Sequence, residues 1–314
     1  MASSNIPPTK DSISNDAPGF PVSPIPPNPL GEGRHIRTAA ALVIGDEILN
    51  GKTLDLNSNF FARYCFEHGV QLKRVEVIPD DESEIIEASR RMVEKYDFVI
   101  TTGGIGPTHD DITYSSLARS FSRPLVHHAE TLRRMEALSR SRQPFSHTNE
   151  QQLEAARRMA LFPKDAEVIF IAEDVWVPVV RLEGRLCVFP GIPSLFQRML
   201  TGLTPFLPLP SKSERPLRIQ IFTERPESYI APYLSSLQER FQKRVQVGSY
   251  PVLGKGVFVS LIGGDPCGQK EDGKPLFLAE IASEVEQEIS GRVVSDEEIA
   301  EKKGENSRIL ELKL

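Results

Sequence analysis

Six apolar residues in a row, Ala39 to Ile44, end at Gly45 and two acids. A strand with one wet face alternates apolar and polar residues. An unbroken apolar run of this length is that of a strand buried on both faces, as in a parallel sheet covered by helices. The next segments supply those helices. NFFARYCFEHG places Phe60, Phe61, Tyr64 and Cys65 on one helical face, with Gly69 as the stop. A second strand runs from Val70 to Ile78 and leads into PDDESEIIEASRRMVEKY. There Asp81 and Glu84 have capping-box spacing, and Ile85, Ile86, Met92, Val93 and Tyr96 form a buried stripe. A third strand, DFVIT, opens into TTGGIGPTHDDIT and a helix near Thr113. This alternation predicts an α/β fold built on a doubly wound, mostly parallel sheet.

Further along, helical stretches are expected around 127–140 and 149–160, and VWVPVVRL and LCVF flank Glu183-Gly184-Arg185 as a hairpin. FPGIPSLFQRML reads as a tight turn into a helix, and the proline-rich 204–216 as a linker. LRIQIF, a helix near 226–241, RVQVGSY, GVFVSLIG and a helix near 276–290 predict a smaller α+β domain. The first 35 residues carry eight prolines and no apolar period, so they read as a disordered tail. The expected organisation is therefore 1–35 tail, 36–205 α/β domain, 206–295 small domain and 296–314 charged tail. The N-terminal stretch lacks the apolar core of a signal peptide, and its acids argue against a mitochondrial presequence. With no apolar run of membrane-spanning length, the chain is expected in the cytoplasm. A net charge of −6 argues against nonspecific binding to nucleic acid or an anionic membrane. Three scattered cysteines without a CxxC pair argue against a disulfide framework or structural zinc.

In an open α/β fold the loops after the strands gather at their carboxyl ends, where ligands bind. Three loops should meet there: GDE after the first strand, PDD after the second and GGIGPTHDD after the third. GDEILNGKT is not a P-loop, since five residues rather than four separate Gly45 from the Gly-Lys pair and two of them are acidic. In the third loop the N–H groups of Gly103, Gly104 and Gly106, with the helix start near Thr113, are expected to form a phosphate cradle. Asp110 and Asp111 beside it make sense if a divalent cation lies between carboxylate and phosphate. The competing reading is a tight turn with acids that only cap the helix. Asp46, Glu47 and Asp80 add oxygen ligands suited to magnesium or a similar hard metal, whereas Asp81 and Glu84 read as caps. His109 reads equally as a phosphate donor or a solvated loop residue. His127-His128 lacks a second ligand at helical spacing for zinc.

GDEILNGKTLDLNSNF, VIPDDESEI and TTGGIGPTHDDIT, in that order, resemble the MoaB/Mog-like molybdopterin-binding domain family. The PTHDD form, with FPGIP (189–193) and GSYP (248–251), is most similar to the CinA-like proteins and the N-terminal region of eukaryotic FAD synthases. The resemblance covers most of residues 37–295. It implies a metal-dependent pyrophosphatase cleaving FAD to FMN and AMP, or a related dinucleotide such as ADP-ribose. It also implies magnesium or cobalt as cofactor, with potassium as a further cation, and a homo-oligomer, dimer or trimer. By motif position, Asp111 would hold the metal with Asp46 and Glu47. Asp111, Asp80 and Asp110 would serve catalysis. Gly45, Gly103, Gly104, Gly106, Thr108, Asp55 and Asn57 would contact the nucleotide or its phosphates. Nothing here resembles the SGGKDS-like loop of the FAD synthase nucleotide-transfer domain, so a complete FAD synthase is not expected. A molybdopterin adenylyltransferase and a non-catalytic binding module are the alternatives.

Overall fold

The computed structural model describes residues 19–141, 149–270, 273–299 and 301. It divides into two compact units, Met1–Pro210 and Ser211–Leu314.

The first unit is built in chain order from β1 (Thr38–Ile44), α1 (Asp46–Leu49), α2 (Asn57–Glu67), β2 (Gln71–Ile78), α3 (Glu82–Lys95), β3 (Phe98–Thr102) and α4 (Thr113–Ser120). Next come β4 (Leu125–His127), α5 (Ala129–Ser141), α6 (Glu150–Arg158), β5 (Leu161–Pro163), β6 (Glu167–Ile169), β7 (Val179–Leu182), β8 (Leu186–Phe189) and α7 (Pro193–Leu203). Six strands form one sheet in the order β2-β1-β3-β8-β7-β6. The first four are parallel, and β7 and β6 continue antiparallel. β4 and β5 pair separately.

The apolar run of β1 serves two cores through the period of a strand. Ala39 and Ala41 face one side, with Phe61, Tyr64 and Cys65 of α2 and Phe196, Met199 and Leu200 of α7. Ala40, Leu42 and Ile44 face the other, with Ile85, Ala88 and Met92 of α3 and Tyr114 and Leu117 of α4. Chain order sends β2 to one side of β1 and β3 to the other. The crevice between the carboxyl ends of β1 and β3 is therefore a topological switch point. Glu183-Gly184-Arg185 connect paired Leu182 and Leu186, with Glu183 (φ 51°) and Gly184 (φ 65°) left-handed and Arg185 N donating to Leu182 O (3.0 Å), so the expected hairpin is present with a three-residue connection.

Residues 19–35 depart from the expected disordered tail; residues 1–18 lie outside the described residues. Phe20 and Leu30 are buried. Phe20 N donates to Glu173 O (2.7 Å), Ser23 N to Phe170 O (2.9 Å), and Phe170 N back to Ser23 Oγ (2.9 Å). The buried Arg134 guanidinium lies between the rings of Phe20 (4.9 Å) and Phe170 (3.4 Å) and donates to Pro21 O (2.7 Å). A segment without apolar period is thus held by a cation–π sandwich and backbone pairing. The first half of the expected linker also packs: Phe206 is buried and Pro208 O accepts from Ile36 N (2.9 Å).

The second unit contains β9 (Leu217–Thr223), α8 (Glu227–Phe241), β10 (Val245–Val252), β11 (Gly256–Gly263), β12 (Gly268–Gln269), β13 (Pro275–Leu276), α9 (Leu278–Ile289) and β14 (Arg292–Val293). Its four-stranded antiparallel sheet runs β10-β11-β9-β14. The α8 and α9 faces Ile230, Leu234, Leu237 and Ile281, Val285, Ile289 close its core. The expected charged tail begins differently, because residues 296–299 are helical and Ile299 packs with Phe222, Val252, Phe258 and Val294. Residues 302–314 lie outside the described residues.

Candidate functional site

The three expected loops do meet at the carboxyl edge. Gly45 N donates to Ile78 O (3.1 Å), joining the loop after β1 to the end of β2. Asp46 N donates to Asp80 Oδ2 (3.1 Å), and the Glu47 carboxylate folds back over Gly45. Gly103 has φ 107°, and a Cβ there would lie 2.0 Å from Ile44 O, so only glycine lets β3 leave the sheet against the end of β1. Gly104 has φ 63°, and its Cβ would lie 2.4 Å from Thr113 Oγ1 and 3.3 Å from Asp80 Oδ1. Thr113 ties the loop from behind: its Oγ1 donates to Gly103 O (2.9 Å) and its N to Gly104 O (3.0 Å).

The donors within the loop are not equivalent. Gly103 N donates to Phe189 O (3.2 Å) and Gly106 N to Asp111 Oδ1 (2.6 Å), so two of the three expected cradle amides are engaged. The N–H groups of Gly104 and Ile105 make no hydrogen bond within the described residues. Asp111 also accepts from Thr108 N (2.8 Å) and Thr108 Oγ1 (2.5 Å). Its carboxylate, expected on a metal, is turned into the loop and closes it over three donors, and Thr108 points the same way. Asp110 stays exposed, 4.0 Å from His109, whose side chain is 98% exposed. His109 thus has the surroundings of a solvated loop residue.

Burial first, and then the charges of Asp46, Glu47 and Asp110, hold the Asp80 carboxyl above the usual carboxylate range; the Asp46 N–H opposes them. Asp80 is thereby the acid to which the others converge. Asp81 serves as expected, capping α3 by accepting from Ser83 N (2.9 Å) and Glu84 N (3.1 Å). Asp55 Oδ1 accepts from Asn57 N and Ser58 N (both 3.0 Å), so it organises the start of α2. Asn57 is buried, and its Nδ2 donates to Thr102 Oγ1 and Gly191 O (both 2.9 Å). Thr113, Ile105, Thr102 and Gly191 were not singled out from the sequence. Thr113 was legible only as a helix start.

Among the described residues no three His, Cys, Asp or Glu side chains are arranged to hold a metal, so Asp111, Asp46 and Glu47 do not form a closed cage. Magnesium is commonly held by only one or two carboxylates, with water completing its shell, and Asp80 and Asp46, whose N donates to Asp80 Oδ2 (3.1 Å), are the residues that would hold it. The cysteines are buried, and burial pushes the Cys187 thiol up to about 12. His128 is half-buried between Phe162 and Phe170, apart from any second ligand.

The loop's two unengaged amides lie beside the acid cluster at the switch point of a doubly wound α/β sheet, and that fold defines the class of protein. The chain belongs to the probable molybdopterin binding domain family, whose match covers residues 40–209, and a FAD synthase middle domain match follows at 216–262. A probable FAD synthase of Caenorhabditis elegans is 34% identical over 69% of this chain, which spans 44% of that relative's length. A protein of Pyrococcus horikoshii is 31% identical over 71% of this chain and 88% of its own. The CinA protein structure from Thermoplasma acidophilum is 26% identical, covering 54% of this chain and 97% of its own with a TM-score of 0.46. No helix of the described residues is long and apolar enough to cross a membrane.

Proposed function

We propose that this chain hydrolyses the pyrophosphate of FAD or a related dinucleotide such as ADP-ribose. The observation that carries this reading is the adjacency of Asp80 Oδ1 to the Gly104–Ile105 turn, whose amides have no partner within the described residues. Those amides and the loop geometry set by Asp111 hold one phosphate. Asp80, with its raised carboxyl, takes a proton from water that attacks that phosphorus. The P–O–P bond breaks, and FAD plus water gives FMN and AMP. A magnesium or cobalt ion resting on Asp80 and Asp46, with potassium as a further cation, would neutralise phosphate charge. The relative named a probable FAD synthase and the FAD synthase middle domain match support an enzyme acting in flavin chemistry. The chain is expected to act in the cytoplasm as a dimer or trimer, and sedimentation of the purified chain tests the assembly.

The purified chain is incubated with FAD, with and without magnesium or cobalt, and flavins are resolved by chromatography. Metal-dependent FMN and AMP are expected, with kcat for Asp80→Asn lower by roughly 10²–10³-fold. Intact FAD and ADP-ribose with every metal would overturn the reading. The family match favours a second one, adenylyl transfer to molybdopterin, read as ATP-dependent adenylylation.

A further inference from the structure

Once Gly103 N has donated to Phe189 O (3.2 Å), the glycine loop leaves the sheet. Thr113 ties it on the α4 side through Gly103 O and Gly104 O. On the β8 side it meets the turn Pro190-Gly191, where a Cβ on Gly191 would stand 3.4 Å from Gly103 Cα. Gly191 is exposed and belongs to no strand or helix, so this second support needs a hold of its own. Asn57 supplies it. Its Nδ2 donates to Thr102 Oγ1 and to Gly191 O (both 2.9 Å), and Thr102 Oγ1 in turn donates to Pro190 O (2.9 Å).

Both N–H groups of the Asn57 amide are spent on these acceptors, since the Thr102 hydroxyl is already a donor and a carbonyl has no proton to give. Asn57 Oδ1 is left buried without a partner, which is destabilising. Stability alone does not account for this arrangement, because an exposed glycine can satisfy its carbonyl with water. What the amide adds is a fixed spacing between three segments: the start of α2, the end of β3 and the turn after β8. They meet one residue from where the loop begins. Asp55 Oδ1 fixes the helix end of the clasp by accepting from Asn57 N and Ser58 N.

We propose that Asn57 is a positioning residue for the phosphate site. By clasping Thr102 and Gly191 it keeps the turn after β8 against Gly103, and so holds the Gly104–Ile105 turn in the conformation whose amides are unengaged. The proposal rests on the phosphate reading above. It replaces the direct nucleotide contact expected from motif position, because Asn57 is 5% exposed with both amide N–H groups spent and therefore acts on the ligand through the loop. Preset donors bind phosphate without first losing conformational freedom, and a glycine backbone has the most of it to lose.

Titration calorimetry of the full chain with magnesium and either inorganic pyrophosphate or AMP tests this. The variants are Asn57→Ala, Thr102→Val, the conservative Thr102→Ser and the double variant Asn57→Ala/Thr102→Val, each measured below its own unfolding temperature. Asn57→Ala should weaken pyrophosphate and AMP alike, by roughly tenfold, and Thr102→Val nearly as much. Thr102→Ser keeps the hydroxyl and should stay within about twofold of the unaltered chain. The double variant should bind no more weakly than Asn57→Ala, since one shared clasp is broken only once. A lowered Tm with unchanged pyrophosphate affinity makes Asn57 merely structural and overturns the proposal, leaving the phosphate reading in place. Weakened AMP with unchanged pyrophosphate restores the direct nucleotide contact and likewise overturns it. No pyrophosphate binding by the unaltered chain removes the phosphate reading and the proposal together. Affinities that fall as expected in a chain that leaves FAD intact remove the hydrolase reading and leave the clasp standing.

Discussion

At the scale of single residues the site depends on backbone contacts that admit one side chain or none. Gly103→Ala places a methyl group 2.0 Å from Ile44 O at a left-handed φ. It should cost roughly 2–4 kcal/mol and be seen as a lowered Tm. Asp80 gives the opposite sign. Its carboxyl is held above the usual range in the folded chain, chiefly by burial and then by neighbouring acids. The folded state therefore binds its proton more readily than the unfolded one. Stability falls as pH rises from the unfolded pKa through the folded one, and the deficit persists at neutral pH. Asp80→Asn should raise Tm at pH 7, and the gain should vanish below the ordinary carboxylate range. Magnesium should raise Tm of the unaltered chain more than that of the variant. Thermal scans across pH, with and without magnesium, check both. The glycines were legible in the sequence because they answer to backbone geometry. The direction of Asp111 was not, since a carboxylate among Gly106, Thr108 and an outside ligand is claimed by whichever donors the loop brings to it.

At the scale of elements, periodicity served the strands and helices well and failed for the segment from Gly19 to His35. The reason is physical. That segment has no repeating apolar face, and its hold comes from Arg134, Phe170 and Glu173, all more than a hundred positions away in sequence. Distant partners of this kind leave no local pattern. Phe20→Ala removes one ring of the arginine sandwich and should cost up to about 3 kcal/mol, or roughly 5–10 °C in Tm. Limited proteolysis should show new cleavage confined to residues 19–35. Cleavage throughout the first unit instead would mean that the segment is integral to the core.

At the scale of the whole molecule, the alternating strand and helix pattern was enough to anticipate a doubly wound sheet followed by an α+β unit. Each unit has its own apolar core, so each should melt as its own transition. Added FAD and magnesium at about a hundred times the Kd should raise the first unit's transition, by roughly 2.7 kcal/mol in stability, and leave the second in place. Calorimetry of the full chain and of residues 211–301 distinguishes this from a single joint transition. The β7–β8 hairpin has a consequence for how the chain tolerates changes in length. β8 is zipped to β7 on one side and to β3 on the other, with Leu182 opposite Leu186 and Val99 opposite that same leucine. One residue gained or lost at Glu183-Gly184 must be absorbed as a bulge or as a slip of β8 by about 3.3 Å, carrying Gly191 and Ile192 away from Gly103. The stretch from Asn50 to Thr53 belongs to no strand, so a length change there shifts no register and has only local bonds to rearrange, such as Asn50 N–Asp46 O and Thr53 N–Glu47 O (both 2.9 Å). Insertions and deletions among functional versions of this fold should therefore accumulate there and be purged at the hairpin.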